Sequence, residues 1–464
     1  MRPGSKVIFS LGIWLCAMLL LSSAHASYGE TSYVLSPTDP AVAESCAALG
    51  GSWDGSSTCT LDANLSLDLG ETILVNTGAV LVIPRGVALI NNGTIDDYGA
   101  ITTSAGGLVA NSGTITAFIG NGTMTNDGSM TNDLGGSISI EYPGQTSAHS
   151  GTFNFTNSGK LTNRGTLVDF GNFTDSDGAS LINSGSLSFE SATINVGNFS
   201  APVTSNAGNF TNVAGGTVTE NGATIVNSGN IANAGTITEG QNVFSQITNT
   251  GTVTSNGTIT NVGLFENNGT VINSGTMTNL VGCTVASCGS LSNFGLLVNA
   301  FGGAIDNQGN MGNNPDATFA NNGTLTNSRV FVNVENGTVT NSGIIYNSGS
   351  INNLGSISNL GSITSSGVVI NAGYISNDAK ASITNLRTIT NTGNIDNSGT
   401  LIDSCGGITY GSGTISGNPV ATTTICNVNA TAAPEFPDAF LVPVLLTALI
   451  LVSLASRKGI RHPA

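Results

Sequence analysis

Between Asn341 and Ile402 the chain divides into near-identical units of about six residues: NSGIIY, NSGSIN, NLGSIS, NLGSIT, SSGVVI and NAGYIS, then a longer unit beginning NDAKASIT, then NLRTIT, NTGNID and NSGTLI. Each unit offers Asn, any residue, Gly, a small or β-branched residue, one aliphatic and a polar residue. An aliphatic flanked by hydroxyl residues, as in Thr388-Ile389-Thr390, alternates outward, inward, outward over a strand of three or four residues. The N-x-G is turn chemistry, because Gly tolerates φ > 0 and Asn hydrogen-bonds nearby backbone. A short strand and a corner, repeated at a fixed period, coil the chain into a solenoid. The expected fold is therefore all-β: a single-stranded parallel β-helix of N-x-G-[ST]-[ILV]-x units. About three units, roughly eighteen residues, would make one coil and add about 4.8 Å of length. The aliphatics would stack in a narrow core and the asparagines would form ladders along a corner, as identical residues do in cross-β stacks. A helix is excluded, since recurrent Gly and Asn oppose it and no 3.6-residue period is present.

The same template runs back through NNGTVI, NAGTIT, NSGNIA, NSGSLS, NRGTLV, NSGTIT and NNGTID. It predicts a solenoid over 63–416 of roughly nineteen coils and about 90 Å. Between Ala117 and Phe210 the period weakens. EYPGQTSAHS around Pro143 and FTDSDGAS around Asp175 read as protruding loops, and CTVASC between Cys283 and Cys288 as a pinned excursion. Ahead of the repeat, 27–62 holds Cys46 and Cys59 in CAALGGSWDGSSTC. This reads as a disulfide-stapled cap, which a solenoid needs to cover the open edge of its first coil. Behind it, 417–433 is a Thr-rich spacer.

Composition sharpens this reading. The chain has 464 residues, 62 Gly, 8% charged residues and a formal net charge of −16. Low charge with many β-branched residues argues against disorder. Between the terminal basic residues lie only Arg85, Lys160, Arg164, Arg329, Lys380 and Arg387 against all 27 acids, so nucleic acid is not an expected partner. Residues 1–26 have a basic start, an apolar run from Val7 to Leu21 and Ala24-His25-Ala26, the form of a secretory signal peptide. Setting aside Cys16 in that leader, Cys46, Cys59, Cys283, Cys288, Cys405 and Cys426 form an even set of near neighbours. Local disulfides in an oxidising compartment are expected, although six cysteines allow fifteen connectivities. Metal binding is the alternative, but no two pairs share a usual zinc spacing.

Residues able to do chemistry are few. The histidines are His25, His149 and His462, so a His-dependent triad would rest on His149 alone. Asp96-Asp97 and Asp175-Ser176-Asp177 are the acidic pairs that a polysaccharide-active β-helix enzyme would need. Both sit beside turn residues without a basic partner nearby and read as surface turn acids. Asp175 and Asp177 could offer oxygens to a weak Ca²⁺. No cofactor is implied, and the expectation is a non-enzyme. Thr-x-Thr recurs at Thr114/Thr116, Thr236/Thr238, Thr258/Thr260, Thr324/Thr326 and Thr338/Thr340; such ranks resemble ice-binding surfaces, though Thr is also a good strand residue on a solvated face. Asn-x-Ser/Thr sequons include Asn92, Asn121, Asn256, Asn322 and Asn336, generated by the repeat. Those in the irregular stretches, Asn154, Asn172, Asn198 and Asn209, and Asn429 in the spacer, are the stronger glycosylation candidates.

The carboxy terminus carries a short motif, an apolar run and a basic tail: Pro434-Glu435-Phe436 within 434–438, an apolar helix over 439–455 and a tail over 456–464. Its seventeen or so apolar residues are at the short end of a membrane span, with a basic cytoplasmic flank. PEFPDAFLVPVLLTALILVSLASRK closely resembles the PEF-type carboxy-terminal sorting signals of archaeal surface proteins. That resemblance covers only about thirty residues and implies processing by an archaeosortase, a membrane transpeptidase that cuts near the motif. The stretch after the C…GGSW…TC cap resembles the amino-terminal portions of secreted adhesin-like repeat proteins. Together they imply an exported, surface-anchored rod whose partners are the membrane, the processing enzyme and surface glycans or neighbouring cells.

Overall fold

A computed structural model of the protein describes residues 31–118, 122–141, 153–190, 203–240, 245–281 and 289–424. Within them each hexad becomes one four-residue strand and one two-residue corner, as in Ser356–Asn359, Ser362–Ser365 and Val368–Asn371. Successive strands are dealt in rotation to three sheets, here named C, A and B. Sheet C begins at Leu65–Leu67, sheet A continues through Glu71–Val75, and sheet B through Val80–Ile83. Every pairing between coils is parallel and in register, for example Ile345 with Ile363, Ile363 with Ile383 and Ile383 with Leu401. The result is a parallel β-solenoid of about 16 turns.

Sheet A holds 18 strands, and at about 4.8 Å per strand the stack is roughly 80 Å long. That is shorter than the nineteen coils expected. Coil length explains the difference: Asn341 and Asn359, stacked rungs on adjacent coils, are 18 residues apart, whereas the stacked pair Asn132 and Asn163 is 31 apart. Inserted residues lengthen a coil sideways without adding height.

The second and fourth residues of a typical strand face inward. The second positions build one continuous core of Ile, Leu, Val, Met and Phe from end to end of the stack. Each fully buried aliphatic contributes about 1.5–3 kcal/mol. Phe155 and Phe173 meet edge-on on adjacent coils at 5.2 Å, and Phe319 and Phe331 meet edge-on across the core, from sheets C and B, at 5.8 Å, so the larger side chains pack in geometries that favour aromatic contact.

The repeat glycine is required for a different reason from the one the turn chemistry suggested. Positive φ is confined to other corners, such as Gly135 and Gly302. At Gly343 and Gly361 a Cβ would instead fall far inside van der Waals contact of the carbonyl oxygens of Gly323 and Gly343 on the coil before. The corner N–H groups donate directly to that coil, Ser342 to the Asn321 carbonyl at 2.8 Å and Ile344 to that of Gly323 at 2.9 Å. Corners are therefore hydrogen-bonded like the strands, and a missing side chain lets most of them stack closely; Arg329 and Arg387 hold the same place in two of them.

FTDSDGAS does not protrude. Asn172–Asp175 is a regular strand of sheet B, and Ser176 to Ala179 form a four-residue corner closed by the Ala179 N–H to the Ser176 carbonyl at 3.0 Å. Gly178 there has φ +79°, where a missing Cβ removes the strain. EYPGQTSAHS, apart from Glu141, and all of CTVASC fall outside the described residues. The solenoid also runs past 416, because Ala421–Thr423 pairs with Ile402 to Ser404, taking in part of the expected spacer.

At the start of the stack Thr31–Leu35 pairs with Glu71–Val75. A helix, Val42–Ala48, follows, and then the hairpin of Gly51–Trp53 and Thr58–Leu61, whose second strand pairs with Val80–Ile83. A Cys46–Cys59 disulfide ties helix to hairpin. The helix was not foreseen. No helix among the described residues is long and apolar enough to cross a membrane; the expected signal peptide at 1–26 and apolar helix at 439–455 lie outside them.

Candidate functional site: amide ladders and one irregular edge

The fourth strand residue decides what each edge of the rod is made of. Asparagine at that position is fully buried on coil after coil, and an unpaired amide there would cost heavily. Each amide instead bonds to its neighbours. On the edge between sheets C and A, Asn321 Nδ2 donates to Asn341 Oδ1 at 2.7 Å, Asn341 to Asn359 at 2.8 Å and Asn359 to Asn377 at 2.8 Å. The second N–H goes to backbone, as from Asn341 Nδ2 to the Ser362 carbonyl at 3.1 Å. The edge between B and C is built likewise, from Asn206 to Asn227 at 2.6 Å through to Asn371 and Asn391 at 2.7 Å. Each rung is donor and acceptor at once, which allows an unbroken chain of amides.

The edge between A and B is different. From Asn261 onward it is an amide ladder, through Asn279, Asn307, Asn327 and Asn347. Before that, the in-register positions are Asp97, Ala117, Ile140, Asp169, Phe189, Glu220 and Glu239. Every break in the described chain falls at this edge. Residues 119–121, 142–152, 191–202, 241–244 and 282–288 each follow a strand of sheet A and precede one of sheet B. The rungs beside several of these connections are apolar: Ala117, Ile140 and Phe189. Where the corner stays tight, an acid remains, because its oxygen takes the glycine N–H: Gly99 to Asp97 Oδ1 at 3.0 Å and Gly171 to Asp169 Oδ1 at 2.6 Å. Tyr98 and Phe118 stack on this edge at 4.1 Å.

These acids are inside the rod. Asp97 and Asp169 are pushed up to about 7, in each case by burial, with the glycine N–H pulling the other way. Asp175, on the B-to-C edge, is pushed up to about 6 by burial despite accepting from Asn157 Nδ2 at 2.6 Å. Asp96 points outward on sheet A while Asp97 points inward, so the pair does not converge on a substrate. Asp175 is buried and Asp177 is exposed in the corner, so the two do not share a calcium loop. No group of three His, Cys, Asp or Glu able to hold a metal occurs among the described residues. The reading of Asp97 and Asp175 as surface turn acids is therefore corrected. The signal was present in the sequence: D-Y-G at Asp97 and D-F-G at Asp169 occupy the N-x-G register.

The remaining candidates divide. Cys46 and Cys59 are joined, and Cys405 is disulfide-bonded; Cys283, Cys288 and Cys426 lie outside the described residues, as do Asn198, Asn429, Pro434, Glu435 and Phe436. Asn154, Asn172 and Asn209 are not in loops but open strands, on the outer sheet surface. Asn92, Asn256, Asn322 and Asn336 are exposed corner residues beside the buried rungs or within the longer corners. Thr217/Thr219, Thr236/Thr238, Thr258/Thr260 and Thr276/Thr278 stand in register on four successive coils of sheet A. A cavity of about 30 Å³ lies inside the stack near Thr204, Asp175 and Asn206. Thr204 occupies an inward position that Phe173 and Ile225 fill on the adjoining coils, and its smaller side chain leaves the space. No family model matches the chain, and no curated protein matches it either.

Proposed function

We propose that the protein is a non-enzymatic, exported, surface-anchored rod, adhesin-like or structural in the cell envelope. The observation that carries this reading is the parallel stack of about 16 turns, with every break in the described chain on one edge. Such a stack separates its two ends and repeats its surface, so weak contacts along it add by avidity. The disulfide of Cys46 and Cys59 supports an oxidising, extracellular setting. The helix and hairpin at 31–61 act as the cap that shields the first coil. Residues 434–438 direct archaeosortase processing, with 439–455 as the membrane helix before cleavage. Mass spectrometry of the native protein released from cell envelopes tests this. A mature terminus near Pro434 to Phe436, or a modified peptide there, is expected; an intact chain through Ala464 would replace covalent attachment by a plain membrane anchor.

A second reading is favoured by one observation, the eight in-register threonines on sheet A between Thr217 and Thr278. A flat, regular hydroxyl array fits an ice or mineral surface. Thermal hysteresis that disappears in Thr238→Lys would support it, and none in the parent protein would remove it. A polysaccharide-active enzyme is not favoured, because Asp97 and Asp175 face the core.

A further inference from the structure

An amide ladder closes only while every rung can both give and accept a hydrogen bond. Over three coils of the A-to-B edge it cannot. Glu220, Glu239 and Asn261 follow one another in the register of sheet A, and Glu220 and Glu239 are fully buried, as is Asn261. Asn261 Nδ2 is committed to Asn279 Oδ1 at 2.7 Å, which fixes the amide so that its Oδ1 turns back toward Glu239. That oxygen and both oxygens of each glutamate lack a well-formed hydrogen bond. Five acceptor oxygens thus meet with only loosely placed donors: the Ser245 hydroxyl and the Ala223 N–H near Glu220, and the N–H groups of Val262, Gly263 and Leu264 near Glu239.

The surroundings offer little help. Glu190, on the coil before Glu220, adds negative charge and is held by Ser188 Oγ and by Asn221 Nδ2. Across the corner the buried Ser245 Oγ accepts from the Gly222 N–H at 2.9 Å. Phe189 precedes Glu220 in the stack and is apolar. On the outer face of sheet B, Glu266 is engaged with Asn268. Among the described residues from 186 to 281 there is no Lys, Arg or His.

We propose that this stretch carries its donors as protons: neutral Glu220 donates to Glu239, and neutral Glu239 donates to Asn261 Oδ1, so that two carboxylic acids replace two amides and the ladder continues. Burial first, then the charges of Glu239 and Glu190, pushes Glu220 up to about 9. Burial pushes Glu239 up to about 8 against the backbone N–H groups of Gly263, Leu264 and Val262, which favour its ionised form. Ionising both would leave two like charges on strands about 4.8 Å apart inside the stack. Acids raised in this way hold their full stabilisation at low pH and lose it as pH climbs through the folded values. The rod is thus made alkali-sensitive at one place, between Ser186 and Asn261. The same oxygens would be satisfied by a bound cation only if both carboxyls were ionised, so the two occupants predict opposite protonation.

Infrared spectroscopy and thermal unfolding of the full chain decide between them, comparing the parent with Glu220→Gln/Glu239→Gln, whose amides donate without titrating. At about pH 7.5 the parent should show a protonated-carboxyl C=O band that is reduced in the double variant. The difference spectrum isolates these two groups from Asp97, Asp169 and Asp175. From about pH 5 up to the folded values of about 8 and about 9 the parent's unfolding midpoint should fall more steeply than the variant's, and above them the two should run level. Should the double variant fail to fold, Glu239→Gln alone and the parent's own pH-difference spectrum carry the same comparison. The proposal is overturned if the parent shows only carboxylate bands at that pH, if parent and variant share one pH slope, or if added calcium raises the parent's midpoint and a chelator lowers it.

Discussion

Two lengths of the same edge show what the fold requires and what it merely prefers. From Asn279 to Asn347 the A-to-B edge is asparagine at every rung and two residues at nearly every corner. From Asp97 to Glu239 the same edge holds Asp, Ala, Ile, Phe and Glu, while the other two edges of those coils remain mostly amide. The tight corner is what demands a polar rung. A corner of x-Gly needs a side-chain or carbonyl acceptor for its N–H groups and a stacked glycine below; a longer connection removes both needs, and an apolar rung then becomes acceptable. One edge was thus released from the repeat, and every break in the described chain lies on it.

The comparison can be broken most forcefully at the glycines. Gly361→Val, at a tight corner of the C-to-A edge, should destabilise by about 3 kcal/mol or more, because the Cβ meets backbone that cannot move aside. Gly178→Ala, with open space but φ +79°, should cost only about 1 kcal/mol. Denaturant unfolding of the two variants measures both.

Next come the rungs. Asn341→Leu removes the bonds to Asn321, Asn359 and Ser362 and strands the Asn359 oxygen, for an expected loss of about 3 kcal/mol. Asp175→Asn should do the reverse. Asn206 Oδ1 is without a partner beside Asp175, and an amide there restores a donor, for a gain of about 1 kcal/mol above the folded value of about 6. The gain should shrink toward about pH 4, where the native acid is itself protonated.

A smaller effect sharpens the comparison further. Stability of the parent should decline as pH rises from about 4 to about 7, because Asp97, Asp169 and Asp175, together with Glu220 and Glu239, hold protons in the folded state that they release when unfolded. A midpoint that rises over this window would mean that these acids are ionised in the fold. Last, Thr326→Ser on the outer face of sheet A should change stability by less than about 0.5 kcal/mol, which calorimetry can check against the rung variants.

Much of this was legible in the chain. Thr388-Ile389-Thr390 gives the strand and its inward residue directly, and N-x-G gives the corner, since each is short and repeated many times. The amide ladder was also readable, although not its burial or its presence on all three edges. The buried acids were misread because Asp96-Asp97 and DSDG carry ordinary turn composition; only their alignment on the hexad shows that Asp97 and Asp175 occupy rung positions. The coil count was overestimated because inserted residues were counted as height. The helix at Val42–Ala48 lies outside the repeat and follows no period.

The coil-to-coil bonding also sets how the rod bears load. Strand and rung bonds alike point from one coil to the next, so a pull between the ends acts on all the boundaries in series and on the bonds of each boundary side by side. A rod built this way yields at its weakest boundary, and neighbouring coils neither share nor relieve the force there. Amide rungs on all three edges cross only the boundaries between Asn261 and Asn347; where a carboxyl must supply its own proton, the pH of the surroundings sets the tension that boundary can bear.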